Sequence, residues 1–245
     1  MADRPVPSGK LSELVAVGFG DVGFPDSDLA HLLEPAHAAL VLVDLQVDFC
    51  HPSGAFGRLG ADLSGYRAVL EQSQRLLVAA RAAGVLVVHL RNTELPGDRA
   101  SSPAQRRFAR KLQQRFRADG PFEPVCQVDS TGWEFMPEVA PEPGEPVMPK
   151  YRSSGFAGTP LDLVLRSNAV STLVVAGATT EGCVESTARD AMFLDYAVVV
   201  AEDAVGSDEP ALHEASMLLM RNRFDVVPAA LLTALWKDEP WKEEL

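Results

Sequence analysis

The chain has 245 residues, enough for one α/β domain with a sizeable core, and its 47% apolar and 23% charged content is ordinary for a globular protein. A net charge of -12 argues against a nucleic-acid partner, since phosphate binding needs a basic face, and reads as solubility. Cys50, Cys126 and Cys183 make no CxxC pair and no even framework, which sets aside a disulfide-stapled or zinc-ribbon fold. The start, Met1-Ala2-Asp3-Arg4-Pro5, lacks the apolar core of a signal peptide, and no apolar stretch approaches the roughly 18 residues of a membrane span. A cytoplasmic location without a membrane partner is expected.

Residues 1–36 are rich in Pro and Gly and lack a period, so they read as an arm ahead of a domain over 37–245. Residues 38–43 form a continuous apolar run closed by Asp44, the pattern of a parallel strand buried on both faces. Residues 64–83 follow a helical period with Tyr66, Val69, Leu70, Leu76, Leu77 and Ala80 on one face, ended by Gly84. A strand is predicted over 85–90. Residues 91–144 are irregular, apart from a basic helical stretch over 106–117 that reads as a solvated face. The alternation resumes with strands over 145–149, 171–176, 196–201 and 225–227. Helices are predicted over 159–167, with Pro160 in the first turn, and over 183–195, 210–221 and 228–236.

Strand–helix alternation predicts a three-layer, doubly wound, Rossmann-like parallel sheet in a single domain. Ligands bind such sheets outside the carboxyl ends of the strands. Asp44, the Arg91-Asn92 pair, Lys150 and the turn before Cys183 all follow directly after predicted strands, so they converge on one edge. The segment Gly177-x-Thr179-x-x-Gly182 lacks the GxGxxG dinucleotide fingerprint, and no nicotinamide cofactor is implied.

Cys183 stands where a helical pattern begins after an apolar β-branched run. A thiol there feels the helix dipole and unpaired N–H groups, which favour the thiolate and can hold an oxyanion. The alternative is a small Cys packing beneath a helix. No His follows a strand near Cys183, and His213 lies within a helix. Asp44 is left to take the thiol proton, with Lys150 to steady the thiolate. The alternative for Asp44 and Lys150 is a structural ion pair.

Three separated motifs carry a family resemblance over roughly residues 36–236. They are Val43-Asp44-Leu45-Gln46-Val47-Asp48-Phe49, then Lys150 with Ser154-Gly155-Phe156-x-x-Thr159-x-Leu161, then Gly177-Ala178-Thr179-Thr180-Glu181-Gly182-Cys183-Val184. In this order they resemble the isochorismatase-like cysteine hydrolases. The resemblance implies a triad of Asp44 as base, Lys150, and Cys183 as nucleophile, with the N–H groups of Thr179 and Cys183 as oxyanion hole. It also implies a cis peptide between Ala178 and Thr179, no cofactor, and a homo-oligomer, a dimer or tetramer. Cys183 speaks against the vinyl-ether cleavage of true isochorismatases, which lack that Cys. Nicotinamidases carry an Asp-x-His metal pair after the first strand. Here Asp48-Phe49-Cys50-His51 puts the His one position late, and His89 could complete a metal site only with different geometry, so His51 and His89 read as structural and no metal is expected.

The Cys183 turn is most similar to that of N-carbamoylsarcosine amidohydrolase. Gly132-Trp133-Glu134 and Cys183-Val184-Glu185-Ser186-Thr187-x-Arg189-Asp190 resemble ureidoacrylate and biuret amidohydrolases. The implied activity is thioester-forming cleavage of a C–N bond in a small ureido, carbamoyl or amide substrate, with ammonia released; a nicotinamidase-type or other linear amidase is the rival, and an idle interaction module a remoter one. Arg91, Asn92, Trp133, Tyr151 and Arg152 are the candidate substrate contacts, with Trp133 covering a small planar polar molecule and Arg152 taking a carboxylate. Arg189 and Asp190 read as braces of the Cys183 helix. A large ester would find no apolar slot.

Overall fold

The computed structural model describes residues 29–116 and 121–238. Six strands, β1 (Ala38–Val43), β2 (Leu86–Asn92), β3 (Val147–Lys150), β4 (Thr172–Ala178), β5 (Ala197–Gly206) and β6 (Asp225–Val227), form one sheet in the order β3-β2-β1-β4-β5-β6. Every pair is parallel. The order runs outward from β1 to β3 and restarts at β4 on the other side of β1. The crevice outside the carboxyl ends of β1 and β4 is therefore the switch point where such sheets take ligands.

Among the described residues, nine α-helices join and cover these strands: α1 (Leu29–Leu32), α2 (Val47–Cys50), α3 (Ala55–Leu59), α4 (Tyr66–Ala83), α5 (Pro103–Gln114), α6 (Leu161–Ser167), α7 (Glu185–Phe193), α8 (Pro210–Arg221) and α9 (Ala229–Asp238). All six residues of β1 are buried, because helices cover both sheet faces. Its side chains alternate between two cores. Leu40 and Leu42 pack with Tyr66, Val69 and Leu77 of α4 and Trp236 of α9; Val41 and Val43 pack with Leu161, Leu165 and Ala188 of α6 and α7 and Met217 of α8. The stripe expected on α4 is buried along its length, and Gly84 ends the helix with φ 76°, a left-handed cap.

Several boundaries differ from expectation. β2 and β4 run two residues further, carrying Arg91, Asn92, Gly177 and Ala178 inside the sheet. Pro160 is the N-cap of α6 rather than a first-turn residue, because the hydroxyl of Thr159 already accepts from Leu161 N (3.2 Å). The helix expected over 183–195 is broken into a π-helical turn, Thr180–Val184, followed by α7. Residues 1–28, most of the expected arm with its Leu11, Leu14 and Phe19, lie outside the described residues. Its last part docks: Leu33 is fully buried, and its carbonyl accepts from Trp236 Nε1 at 3.1 Å. Among the described residues no helix is long and apolar enough to cross a membrane.

Candidate active site

Asp44 follows the last residue of β1 with φ 51°, an uncommon conformation for a non-glycine residue. Its N–H donates to Leu90 O (3.1 Å), and its carbonyl accepts from Gln46 N (2.7 Å). Gln46 locks this corner. Its amide donates to the carbonyls of Asn92 (3.0 Å) and Trp133 (2.8 Å), and its Oε1 accepts from Asn92 N (2.8 Å). Gln46 was only part of a motif in the sequence; its bracing of β1 against β2 needed the fold.

Lys150 ends β3, one strand beyond β2, and its ammonium reaches across to β1. Nζ lies 2.6 Å from Asp44 Oδ2, 3.2 Å from Cys183 Sγ and 3.0 Å from Arg152 O. Asp44 and Lys150 are fully buried, and Cys183 is partly exposed. Gly177, just before the Cys183 turn, has φ 130°, and a Cβ there would sit 2.1 Å from Val43 O. Only glycine lets β4 run this close to the end of β1. The Ala178–Thr179 peptide bond is cis. The N–H groups of Gly182 (3.2 Å) and Val184 (3.1 Å) both donate to Thr179 O, winding the turn so that it presents Cys183 to Lys150.

The electrostatics correct one expectation. Burial pushes the Cys183 thiol up to about 12; the Lys150 ammonium opposes this and the Asp44 carboxylate reinforces it. The dipole argument overlooked that Cys183 shares a dry site with a carboxylate. Burial also raises Asp44 above the ordinary aspartate range, against the pull of Lys150, which makes it a better base. For Lys150, burial works against the charge, but the neighbouring Asp44 and Cys183 outweigh it and hold the ammonium protonated. Burial thus disfavours the charged form of both Asp44 and Cys183, and the Lys150 ammonium is the charge that opposes it.

Cys183 opens on a cavity of ≈ 320 Å³, with Asp44 and Lys150 buried behind it. Asn92, Tyr151, Arg152 and Thr179 line it, as expected for site residues, but Arg91 and Trp133 do not. Arg91 stacks over the rings of Trp133 (4.1 Å) and Phe135 (4.2 Å), and Trp133 Nε1 donates to Thr93 Oγ1 (3.0 Å). The extra residues of β2 aim Arg91 at aromatic rings instead of the cavity. Arg152 lines the wall while Nη1 donates to Ala100 O (3.0 Å).

The basic stretch is helical, with Arg106, Arg107, Arg110 and Lys111 exposed as expected, but the helix also has a second face. Ser102 caps α5 by accepting from Gln105 N (3.2 Å), and Gln105, Phe108, Ala109 and Leu112 of α5 form a cavity wall. These positions follow an i, i+3, i+4, i+7 spacing, one helix face that the arginines between them masked in the sequence. With Phe49, Phe56, Phe122 and Leu212 it gives the cavity an apolar side that was not foreseen. Glu181 was also missed. It lines the cavity from the Cys183 turn; its Oε1 lies 3.7 Å from Arg115 Nη1, and its Oε2 is buried without a hydrogen-bond partner.

The residues with metal potential near β1 hold separate partners. Asp48 accepts from Ala55 N (2.7 Å) and Cys126 N (2.6 Å), His51 pairs with Ser53 (2.7 Å), and His89 Nε2 lies 2.8 Å from Glu145. His213 Nδ1 bonds Thr180 Oγ1 (2.9 Å), bracing the turn from α8. Arg189 pairs with Glu185 (2.6 Å), which accepts from Ser216 (2.5 Å), so α7 is tied to α8.

Comparison with known proteins places the chain in a family. The Isochorismatase domain family matches residues 38–230. The chain is similar to the ureidoacrylate amidohydrolase RutB of Enterobacter sp. (strain 638), at 35% identity over 187 residues, 75% of this chain and 81% of that protein. In structure it is similar to a cysteine hydrolase from Pseudomonas syringae pv. phaseolicola 1448A, with TM-score 0.71 and 26% identity over 83% of this chain and 94% of that one. It is also similar to the nicotinamidase/pyrazinamidase PncA of Bacillus subtilis, with TM-score 0.64 and 26% identity over 78% of this chain and 99% of that one. The parallel sheet, the buried Asp44–Lys150 pair beneath Cys183 and these likenesses together make the chain a member of the isochorismatase family of hydrolases.

Proposed function

We propose that the protein is a cysteine amidohydrolase that cleaves a C–N bond of a small ureido, carbamoyl or amide substrate through a thioester. The observation that carries this is Lys150 Nζ bonded at once to Asp44 (2.6 Å) and Cys183 (3.2 Å) at the edge of a cavity. The Cys183 proton passes to the Asp44 carboxylate as Sγ bonds the carbonyl carbon. The carbonyl oxygen takes the negative charge, held by the N–H groups of Thr179 and Cys183. Its collapse breaks the C–N bond, and Asp44 returns the proton to the departing nitrogen. Water then attacks the thioester, giving one proton to Asp44, and the thiol is restored. Lys150 stays charged throughout and fixes the carboxylate beside the sulfur.

Glu181 Oε2, a buried acceptor without a partner beside Cys183, suits an N–H donor on the substrate. Asn92 and Tyr151 give further polar contacts, and the Phe108–Leu112 face accepts an apolar portion. The likeness to a ureidoacrylate amidohydrolase favours the ureido class, whereas the fold alone also matches a nicotinamidase. Measuring ammonia from a panel of ureido acids, N-carbamoyl amino acids and carboxamides tests the reading. Turnover of ureido or carbamoyl compounds is expected. Release from nicotinamide alone would favour the rival, and no release from any compound would overturn the amidohydrolase reading. Exposed Phe193 (70%) and Leu218 (71%) fit the further proposal of a dimer or tetramer, which a monomeric mass by light scattering would overturn.

A further inference from the structure

The turn that leads into β1 carries three groups the proposed chemistry does not use: His31, Glu34 and His37, each three residues apart. They lie at the opposite end of β1 from Asp44. We propose that these three residues bind a divalent transition-metal ion of the zinc class. One potential ligand atom from each converges, all within 4.8 Å of one another. Glu34 Oε2 is 3.4 Å from His37 Nε2 and 3.9 Å from His31 Nδ1. Tetrahedral zinc, with bonds of about 2.0–2.1 Å, sets neighbouring ligands roughly 3.4 Å apart. The Glu34–His37 edge already has that spacing, and the Glu34–His31 edge is about half an ångström longer. The two imidazole centroids are 5.3 Å apart. That is near the roughly 5 Å expected of two rings sharing one tetrahedral ion.

The backbone holds the ligands ready. Glu34 O accepts from His37 N (3.1 Å) and Ala38 N (3.0 Å), Glu34 N donates to His31 O (3.2 Å), and His37 O accepts from Ser171 N (2.8 Å) and Thr172 N (3.1 Å). Two of the three positions are therefore fixed by the first turn of the sheet. His37 Nδ1 is buried with no hydrogen-bond partner, so no other bond dictates the setting of that ring. Two imidazoles and one carboxylate suit zinc, nickel or cobalt better than magnesium or calcium, which favour oxygen. Far from Cys183, the ion would pin the end of the N-terminal segment to the sheet and add stability in proportion to its binding.

Titrating zinc calorimetrically into full-length Cys183→Ala protein tests this, because the active-site thiol then cannot compete. One ion per chain is expected, with affinity weakened at least about tenfold by His31→Ala and by Glu34→Gln. Both side chains are partly exposed, so the fold tolerates the changes. Cobalt should give the visible absorption of a tetrahedral site without a thiolate charge-transfer band. Absence of saturable zinc binding, affinity in both variants unchanged from the parent, or a thiolate band would overturn the proposal.

Discussion

Two ionic clusters flank β2 and β3, and only one of them adjoins the cavity. At the carboxyl end, Lys150 joins Asp44 and Cys183. Below it, Glu145 joins His89 (2.8 Å) and Arg81 (2.7 Å). Both contain a carboxylate, a base and buried neighbours. The Glu145 cluster is saturated: burial disfavours its charge, yet Arg81, the Glu142 N–H and His89 outweigh that and hold it down to about 2. The upper cluster holds a thiol, and its carboxylate is raised instead of lowered. A buried ion pair is weak grounds for function. What separates the two is position at the strand ends, an adjoining cavity and a base left strong enough to take a proton.

The largest contrast lies in activity. Cys183→Ala and Asp44→Asn should each lower kcat/KM by roughly 10³-fold or more while the protein stays folded, because each removes one member of a unit that works together. Residual activity above a trace in Cys183→Ala would rule out the covalent route. The pH profile sharpens the comparison. The competent form needs Asp44 ionised and the thiol protonated, so kcat/KM should fall on acidification at a pH above the ordinary aspartate value of 3.8. With Cys183 pushed up to about 12, no alkaline loss from thiol ionisation should appear near neutrality. A bell centred on neutrality would indicate a different ionisation state.

An intermediate effect is expected at the cavity wall. Glu181→Gln should raise KM about tenfold for substrates with a free amide or ureido N–H, with less change in kcat, since a buried acceptor is weakened. Equal effects on N-methylated analogues would remove Glu181 from substrate contact. The smallest effect on turnover belongs to the lower cluster. Glu145→Gln should leave kcat within about twofold but lower Tm by several degrees at neutral pH. The sign follows from linkage: a carboxylate held below its unfolded value of 4.5 stabilises the fold above that pH. This contribution is lost as pH falls toward 2, so variant and parent should converge in acid. Loss of turnover in Glu145→Gln would join the two clusters into one machine.

The parts legible in the sequence were those that obey a period or a strand-end position. The buried β1 run, the α4 stripe and the convergence of Asp44, Lys150 and Cys183 all follow from alternation and parallel topology. The cavity did not. Arg91 and Asn92 are neighbours that differ in side-chain direction, which a two-residue extension of β2 decides. The face of Phe108 and Leu112 was masked by the arginines around it. Glu181 gave no signal, because an acidic residue in a turn is usually solvated and its burial depends on Arg115, distant in the chain. The raised thiol likewise depends on three strands meeting in a dry corner.

The most direct measurement traps the intermediate. Acid-quenching the enzyme in the first turnovers with a substrate that releases ammonia, then mapping the peptides by mass spectrometry, reports where the acyl group sits. The prediction is an adduct on the peptide carrying Cys183, none on those carrying Cys50 or Cys126, and none in Asp44→Asn. Turnover without any adduct in a quench fast enough to catch it, or an adduct on another cysteine, would contradict Cys183 as the nucleophile.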